Sequence, residues 1–266
     1  MRYAHILSRV TGSPWLITQD ALNSITGLLE ARMNNIRADV ETTAAVPPVP
    51  VTVKTGPTIA VIPVHGILAP RLSLMEALCG GCDTEIIKQL FNAANADSAI
   101  QAIVMHFDSP GGLAMGCHEL FTHLYGAKAK PLYAFTDGML CSAAYYLAAA
   151  CDSITCTPTA QIGSIGTILI VRQDGNKDGS KLHVFKSGEF KDLGSPARTP
   201  TEKEATVLQS RVDYIGAMFR GDMLKARPSI PADAMEGLAY FGRESVRLHL
   251  ADNCVNDFET FLSGLT

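Results

Sequence analysis

Two segments of the sequence combine residue types that can catalyse acyl transfer. In residues 107–116, FDSPGGLAMG, a proline and two adjacent glycines follow an apolar run. Gly111 and Gly112 can adopt backbone angles closed to other residues, which lets N–H groups face a developing oxyanion. In residues 137–150, DGMLCSAAYYLAAA, Ser142 precedes eight uncharged residues. The first segment offers a cradle for an anion, and the second offers a hydroxyl nucleophile.

Each segment also has a purely structural interpretation. The glycine pair suits an ordinary turn that opens a helix, and Ser142 suits a helix cap or a packing position ahead of Ala143. Their placement favours chemistry, because only one strand and a short turn separate the two segments. In a parallel sheet both would emerge at the carboxyl edge of the strands, where functional sites usually form.

A serine nucleophile needs a general base. No histidine is expected in a loop with an orienting carboxylate, so a Ser-His-Asp site is not favoured; the seven are His5, His65, His106, His118, His123, His183 and His249. Lys186 and Lys191 lie in KSGEFKDLGSPARTP, a segment that glycine and proline interrupt. A lysine base must be neutral, so burial has to lower its pKa from ~10.4 to ~7–8, a penalty of about 4 kcal/mol on the charged form. Ser164, in QIGSIGT, offers a hydroxyl that could hold the amine.

The elements that would position these residues alternate between strands and helices. Apolar, β-branched runs predict strands at 58–64, 99–107, 132–135, 153–156, 166–171 and 181–185. Helical patterns are predicted at 83–96, with Asp83 as the cap, and at 113–128, 141–150 and 201–226. Thr201 and Glu204 fit a capping box at the start of the last helix. A short strand, a helix and a final edge follow. This alternation predicts an α/β fold with a mainly parallel sheet.

The beginning of the chain has a different character. Apolar residues at helical spacing predict a helix over 18–37, and four prolines then favour an extended linker. We therefore divide the chain into an N-terminal helical arm (1–45), a proline-rich linker (46–57) and a main domain (58–266). The arm could pack on its own domain or grip a neighbouring subunit.

Composition limits the class of protein. Of 266 residues, 47% are hydrophobic and 18% charged, the net charge is −4, and no basic stripe suggests nucleic acid as a partner. We expect no secretory signal, no membrane anchor and a cytoplasmic location. Seven cysteines fit a reducing compartment. The pair Cys79 and Cys82 lacks a second pair, so we expect loop cysteines and no metal.

Four of these motifs occur in an order that resembles a known family. DSPGG, CSAAYYLA, PTAQIGSIG and KSGEFKD are similar to those of the signal peptide peptidase A family of serine proteases, which use a Ser-Lys dyad. The resemblance runs from about residue 58 to 256. The opening YAHILSRVTGSPW and the later LQSRVDYIGAMF are closer to the capsid-assembly proteases of lambda-type phages and prophages.

The resemblance implies a Clp protease/crotonase-like fold with repeated βαβ units and a role for each motif residue. Ser142 matches the nucleophile, and Lys191, rather than Lys186, matches the general base. No cofactor and no metal are implied. The other implied roles belong to Ser164, which orients the lysine, to the N–H groups of Gly112 and Ala143 in the oxyanion hole, and to Gly111 and Gly163 in substrate binding.

The resemblance also implies partners. The substrate would be an extended polypeptide, such as a scaffold or capsid protein of a phage head, cleaved in the host cytoplasm or the prohead. Short members of the family assemble as rings in which serine and lysine can come from adjacent subunits, so a homo-oligomer is expected.

Two positions depart from the family pattern. Ala143 and Ala144 replace a frequent Gly-Gly, and His249 stands where glycine is usual. A crotonase-like acyl-CoA hydratase or hydrolase and a catalytically inactive ring-forming protein are the alternative functions.

Overall fold

The computed structural model describes residues 13–33, 51–52, 58–72, 80–171, 184–195 and 198–265. The strands are β1 (Trp15–Ile17), β2 (Val51–Thr52), β3 (Ile59–His65), β4 (Ile67–Ala69), β5 (Gly81–Asp83), β6 (Ala102–Ser109), β7 (Gly111–Leu113), β8 (Leu132–Cys141), β9 (Ser153–Cys156), β10 (Gln161–Gly163), β11 (Ala239–Phe241) and β12 (Asn253–Cys254). The α-helices are α1 (Gln19–Met33), α2 (Thr84–Ala96), α3 (Cys117–Ala127), α4 (Ala143–Ala148), α5 (Glu202–Ala226), α6 (Gly242–Arg247) and α7 (Phe258–Ser263).

The main sheet has the strand order β11-β10-β8-β6-β3-β2. Strands β3, β6, β8 and β10 are parallel, and the two end strands, β2 and β11, run antiparallel to their neighbours. Strand β9 pairs in parallel with β8 and with β12. The predicted α/β fold with a mainly parallel sheet is confirmed.

Apolar layers cover both faces of this sheet. Strands β3 and β6 are buried along most of their length, as expected for parallel strands with both faces covered. Helices α2, α3 and α4 contribute to the main core, while Phe261 of α7 packs with Phe135 on a second cluster. Every residue of α4 is buried, so its small side chains let it enter the core.

Two of the predicted helix starts, at Asp83 and Thr201, are confirmed. The side chain of Asp83 accepts a hydrogen bond of 2.9 Å from the backbone N–H of Glu85. At the start of α5, the Glu204 N–H donates to the Thr201 hydroxyl, and the Glu204 carboxylate accepts from the Thr201 N–H at 2.8 Å. This is the reciprocal capping box that the sequence predicts.

A smaller sheet, ordered β1-β7-β4-β5, lies beside the main one. Strand β1 is antiparallel to β7, whereas β4 is parallel to both β7 and β5. A separate apolar cluster joins β1 and α1 to this sheet; its buried members are Trp15, Ile17, Leu22, Ala69 and Leu113. The described part of the predicted N-terminal arm therefore pairs with the core. Residues 34–50 and 53–57 lie outside the described residues, and the domain boundaries stay a prediction.

Several predicted elements are corrected. Residues 166–171 form no strand, because only Ile168 finds a partner, in Trp15, and the place beside β8 belongs to β10. Val184 and Phe185 are exposed outside any strand, and 181–183 lie outside the described residues. Gly111 and Gly112 lie in β7 instead of opening a helix, since α3 begins only at Cys117.

Candidate active site

Ser142 lies at the sharp junction between β8 and α4. Its backbone has φ 55° and ψ −116°, a region that non-glycine residues rarely adopt. Its N–H donates to the carbonyl of Gly163 at 2.8 Å, and its own carbonyl accepts from the N–H of Tyr146 at 2.9 Å. Strained residues held by their surroundings cluster at active sites, and a strand-to-helix turn of this kind presents a nucleophile in other hydrolases.

Two polar groups at this junction are buried without partners. Ser142 is 1% exposed, and its hydroxyl has no hydrogen-bond partner among the described residues. The N–H of Ala143, in the first turn of α4, likewise donates to no group in the described part of the chain. Buried polar groups are nearly always paired. An unpaired hydroxyl next to an unpaired N–H is therefore suited to a reacting carbonyl.

A bulge between β6 and β8 sets the position of Ser142. Phe107 pairs with Thr136 and Ser109 with Leu140, so β8 carries two extra residues between these pairs. The carboxylate of Asp108 holds the bulge by accepting a hydrogen bond of 3.1 Å from the Met139 N–H. Bulges often redirect a strand next to an active site. Asp108 is not among the predicted site residues, although it directly precedes the SPGG motif.

Gly111 approaches Ser142 closely. Its φ is +106°, and a β-carbon there would overlap the Leu16 carbonyl oxygen and lie 3.0 Å from Ser142 Cβ and 3.1 Å from Ala143 N. Its N–H donates to the Ser109 hydroxyl at 3.2 Å, and that hydroxyl donates to the Gly66 carbonyl at 2.6 Å. The second predicted motif therefore meets the first, and glycine is required at this point.

The N–H of Gly112 has a partner in β1. Two residues to either side of the Leu16–Gly112 pair, β1 and β7 are joined by hydrogen bonds. The Thr18 N–H donates to the Pro110 carbonyl at 3.1 Å, and the Ala114 N–H donates to the Pro14 carbonyl at 3.3 Å. Hydrogen-bonded pairs alternate along an antiparallel ladder. Because Gly112 is paired with Leu16, its N–H donates to the Leu16 carbonyl. Of the two predicted oxyanion donors, one is thus engaged and one is unpaired.

Gly163 and Ser164 lie on the other side of Ser142. Gly163 pairs with Cys141 in the parallel ladder between β10 and β8. Ser164 follows with φ 52° and 8% exposure, and its N–H donates to the Leu238 carbonyl at 2.6 Å. The structure therefore places Gly163 in contact with Ser142, and Ser164 is the next residue in the chain; the roles of both stay predictions.

Lys191 does not meet Ser142 within the chain. It is exposed, and the Ser142 hydroxyl accepts no hydrogen bond from it. In the same loop, Lys186 forms an ion pair with Asp192, which also binds Arg198 at 3.0 Å. The predicted dyad stays a prediction.

Two histidines outside the loops have carboxylate partners, His106 in β6 and His118 in α3. His106 contacts Asp137 at 3.0 Å, and His118 contacts Asp222 at 2.7 Å. These partners are 31 and 104 residues apart in the sequence, so spacing could not reveal them. Neither histidine contacts the Ser142 hydroxyl.

The residues next to Ser142 in the chain are buried from solvent. Burial raises the pKa of the adjacent Cys141 thiol to about 12, and it also raises the pKa of the Tyr145 phenol, which donates to the Leu250 carbonyl at 2.8 Å. Burial of this kind favours the neutral form of an amine. A lysine brought to this place would lose its proton more readily than in water.

The described residues contain no group of three or more histidine, cysteine or acidic side chains that could hold a metal. Cys79 lies outside them, and Cys82 is a strand residue rather than a loop cysteine. Within the described ranges, no helix has the length and apolar character needed to cross a membrane.

Comparison with known sequences gives a consistent result. The model of peptidase family S49 matches residues 126–262. The head-tail preconnector protein GP5 of Enterobacteria phage P21 is 30% identical over 74% of this chain and 41% of its own length. The capsid assembly protease C of Escherichia phage lambda is 30% identical over 74% of this chain and 46% of its own length. The chain thus spans less than half of either relative.

Solved structures resemble the chain more distantly. An enoyl-CoA hydratase/isomerase from Marinobacter aquaeolei has a TM-score of 0.48 and 14% identity, covering 81% of this chain and 74% of its own. The membrane-bound stomatin-specific protease 1510-N, in complex with a substrate peptide, has a TM-score of 0.47 and 15% identity, covering 77% of each chain.

Proposed function

Because this chain belongs to peptidase family S49, we propose that it is a serine endopeptidase with Ser142 as its nucleophile. The observation that supports this most is the buried, unpartnered Ser142 hydroxyl beside the unpartnered Ala143 N–H. The hydroxyl can attack a carbonyl carbon while the N–H stabilises the oxygen that becomes negative. The replacement of Gly-Gly by Ala143 and Ala144 leaves this donor in place.

In the proposed reaction, neutral Lys191 accepts the proton of the Ser142 hydroxyl as the oxygen bonds to the peptide carbonyl carbon. The C–N bond then breaks, and the departing amine takes that proton from the lysine. Water then attacks the acyl-enzyme and gives a proton to the same lysine as its oxygen bonds to the acyl carbon. The bond between that carbon and the Ser142 oxygen breaks, the lysine returns the proton to the Ser142 oxygen, and the carboxylic acid is released. We assign the orientation of the lysine amine to Ser164, which directly follows Gly163, the residue whose carbonyl accepts from the Ser142 N–H.

We assign the base to a neighbouring protomer of a homo-oligomeric ring. Lys191 is exposed within one chain, while a lysine base has to be buried to stay neutral. The same loop exposes three large apolar side chains, Val184, Phe185 and Phe190, with Phe185 95% exposed. Exposed apolar groups often mark an interface. Burying this loop against another copy would remove Lys191 from water.

The proposed substrate is a scaffold or capsid protein of a phage head, and the proposed setting is the host cytoplasm or the prohead. Both come from the phage relatives, one of which is a capsid assembly protease.

Co-expression with the capsid and scaffold proteins of a lambda-type phage tests this proposal. Wild type should produce a cleaved product, and Ser142→Ala and Lys191→Ala should not. Lys203→Ala is the matched control, because Lys203 is an exposed lysine near the same loop and pairs with Glu189. A mixture of Ser142→Ala and Lys191→Ala protomers should regain cleavage if the dyad is shared between subunits.

Equal cleavage by wild type and Ser142→Ala would refute the assignment of the nucleophile. Cleavage by Lys191→Ala at the wild-type rate would refute the assignment of the base. A mixture as inactive as its components would place the lysine and serine in one chain.

A further inference from the structure

Both edges of the glycine strand are occupied in the structure. On one edge of β7, Gly112 pairs with Leu16 of β1, and on the other it pairs with Leu68 of β4. An extended substrate is expected to pair with a strand edge near the nucleophile. On β7 it can do so only where β1 now lies, because β4 continues directly from the core strand β3 and is part of the domain interior.

Strand β1 is held as a bound peptide would be. On one side it pairs with β7 over Trp15–Ile17, and on the other it exchanges two hydrogen bonds with Ile168. The Trp15 N–H donates to the Ile168 carbonyl at 2.8 Å, and the Ile168 N–H donates to the Trp15 carbonyl at 2.9 Å. A three-residue strand inserted between two segments matches the geometry of β-strand addition.

Leu16 is the β1 residue whose carbonyl lies beside Gly111, where a β-carbon would also meet Ser142. Its carbonyl accepts from the Gly112 N–H and lies against Gly111, which in turn approaches Ser142. Its side chain is fully buried in the main core, which also contains Ala143. The side chains of Trp15 and Ile17 instead belong to the separate apolar cluster beside the smaller sheet. This alternation is that of an extended strand with one side chain directed to the nucleophile side.

We propose that β1 is an internal stand-in for substrate, with Leu16 in the place of the residue whose carbonyl Ser142 attacks. The inference rests on the proposed function. It names the class of substrate as an extended segment with a leucine-sized apolar side chain at this position. It also means that β1 has to leave β7 before a substrate can bind. The apparent affinity for substrate then equals the intrinsic affinity multiplied by the fraction of molecules in which β1 has left.

The chain carries a built-in reporter of this displacement. Trp15 is its single tryptophan and is 4% exposed. The test uses the full-length Ser142→Ala protein and a synthetic peptide that copies residues 11–20 with phenylalanine in place of tryptophan. Binding of the peptide, followed by the anisotropy of an attached dye, should raise the quenching of Trp15 fluorescence by acrylamide. A peptide with aspartate in place of leucine should neither bind nor change the quenching.

A reversible lock provides the matched control. Trp15 and Leu113 face each other as a non-hydrogen-bonded pair of the β1–β7 ladder, and such pairs have Cα atoms about 4.5 Å apart, within disulfide range. The Trp15→Cys/Leu113→Cys protein, made with Ser142→Ala, should bind the dye-labelled peptide when reduced. Oxidation should lower the binding at least about tenfold, since β1 then cannot leave, and dithiothreitol should restore it.

Three results would overturn the inference: equal binding by the oxidised and reduced forms, binding that leaves Trp15 as protected as before, or no binding by the reduced form. These readouts need no catalysis. A fluorophosphonate probe applied to wild type in parallel tests the proposed function on its own. Failure of labelling would count against the peptidase, and failure of peptide binding would count only against the role of β1.

Discussion

Replacing Gly111 with alanine should disable the nucleophile through geometry alone. At φ +106° an alanine is strained by about 1–3 kcal/mol. Its β-carbon would overlap the Leu16 carbonyl oxygen and lie 3.0 Å from Ser142 Cβ, whereas carbon atoms pack at about 3.5–4.0 Å. Relief therefore requires a movement of about 0.5–1 Å by β1, by Ser142 or by both.

The expected loss follows from that movement. A misplacement of about 1 Å can cost about 100-fold in rate. We expect Gly111→Ala to react with a fluorophosphonate probe about 100-fold more slowly than wild type and to lose about 1–3 kcal/mol in the free energy of unfolding by urea. The rate is measured by gel fluorescence over time, and the free energy by circular dichroism.

The control is Gly221→Ala. Gly221 lies inside α5, and a β-carbon there meets nothing within 4 Å. Alanine should raise the free energy of unfolding by about 0.5–1 kcal/mol and leave labelling unchanged. If Gly111→Ala labels as fast as this control, the close approach of Gly111 to Ser142 does not matter for reactivity, and the reasoning is wrong.

Three further predictions concern the framework of the site. Asp108→Ala removes the acceptor of the Met139 N–H. We therefore expect the free energy of unfolding by urea to fall by about 1–3 kcal/mol and fluorophosphonate labelling to become slower. Unchanged labelling would contradict the role of the bulge in positioning Ser142. Because burial raises the pKa of the Cys141 thiol to about 12, this thiol should resist Ellman's reagent at pH 8 until urea unfolds the chain. Rapid reaction of Cys141 in the native protein would contradict its burial from solvent. Hydrogen bonds from Arg198 and Thr201 lower the pKa of Glu204 from 4.5 to about 2, so its contribution to stability is complete only above about pH 5.5 and is lost progressively as the pH falls through 4.5 to about 2. Melting curves of Glu204→Gln should therefore differ from those of wild type at pH 7 and converge near pH 2, and a difference that persists at pH 2 would contradict this linkage.

The sequence predicts the site well where the signal is local. Local signals include the apolar runs, the caps at Asp83 and Thr201, and the serine at the start of α4. Four of the six predicted strand runs, both caps and the helix start at Ser142 are confirmed. Because the strands are parallel, their order along the chain also predicts that the glycine and serine motifs share one edge. His249 stands where the family usually has glycine, and its φ of 57° does lie in the region that favours glycine.

What the sequence does not reveal depends on distant partners. The run at 166–171 has the composition of a strand, yet its pairing is limited to Ile168, because β10 takes the place beside β8. The position of β1 depends on a contact between residues almost 100 apart in the chain, and no local pattern marks it. Asp137 and Asp222 likewise find their histidines only through the fold.

The most direct test of the central claim is to map the fluorophosphonate adduct by mass spectrometry. The account predicts that wild type carries the adduct on Ser142 and that Ser142→Ala, shown by circular dichroism to be folded, carries none. An adduct on another residue that persists in Ser142→Ala, or a folded wild type that never reacts, would contradict the assignment of Ser142 as the nucleophile.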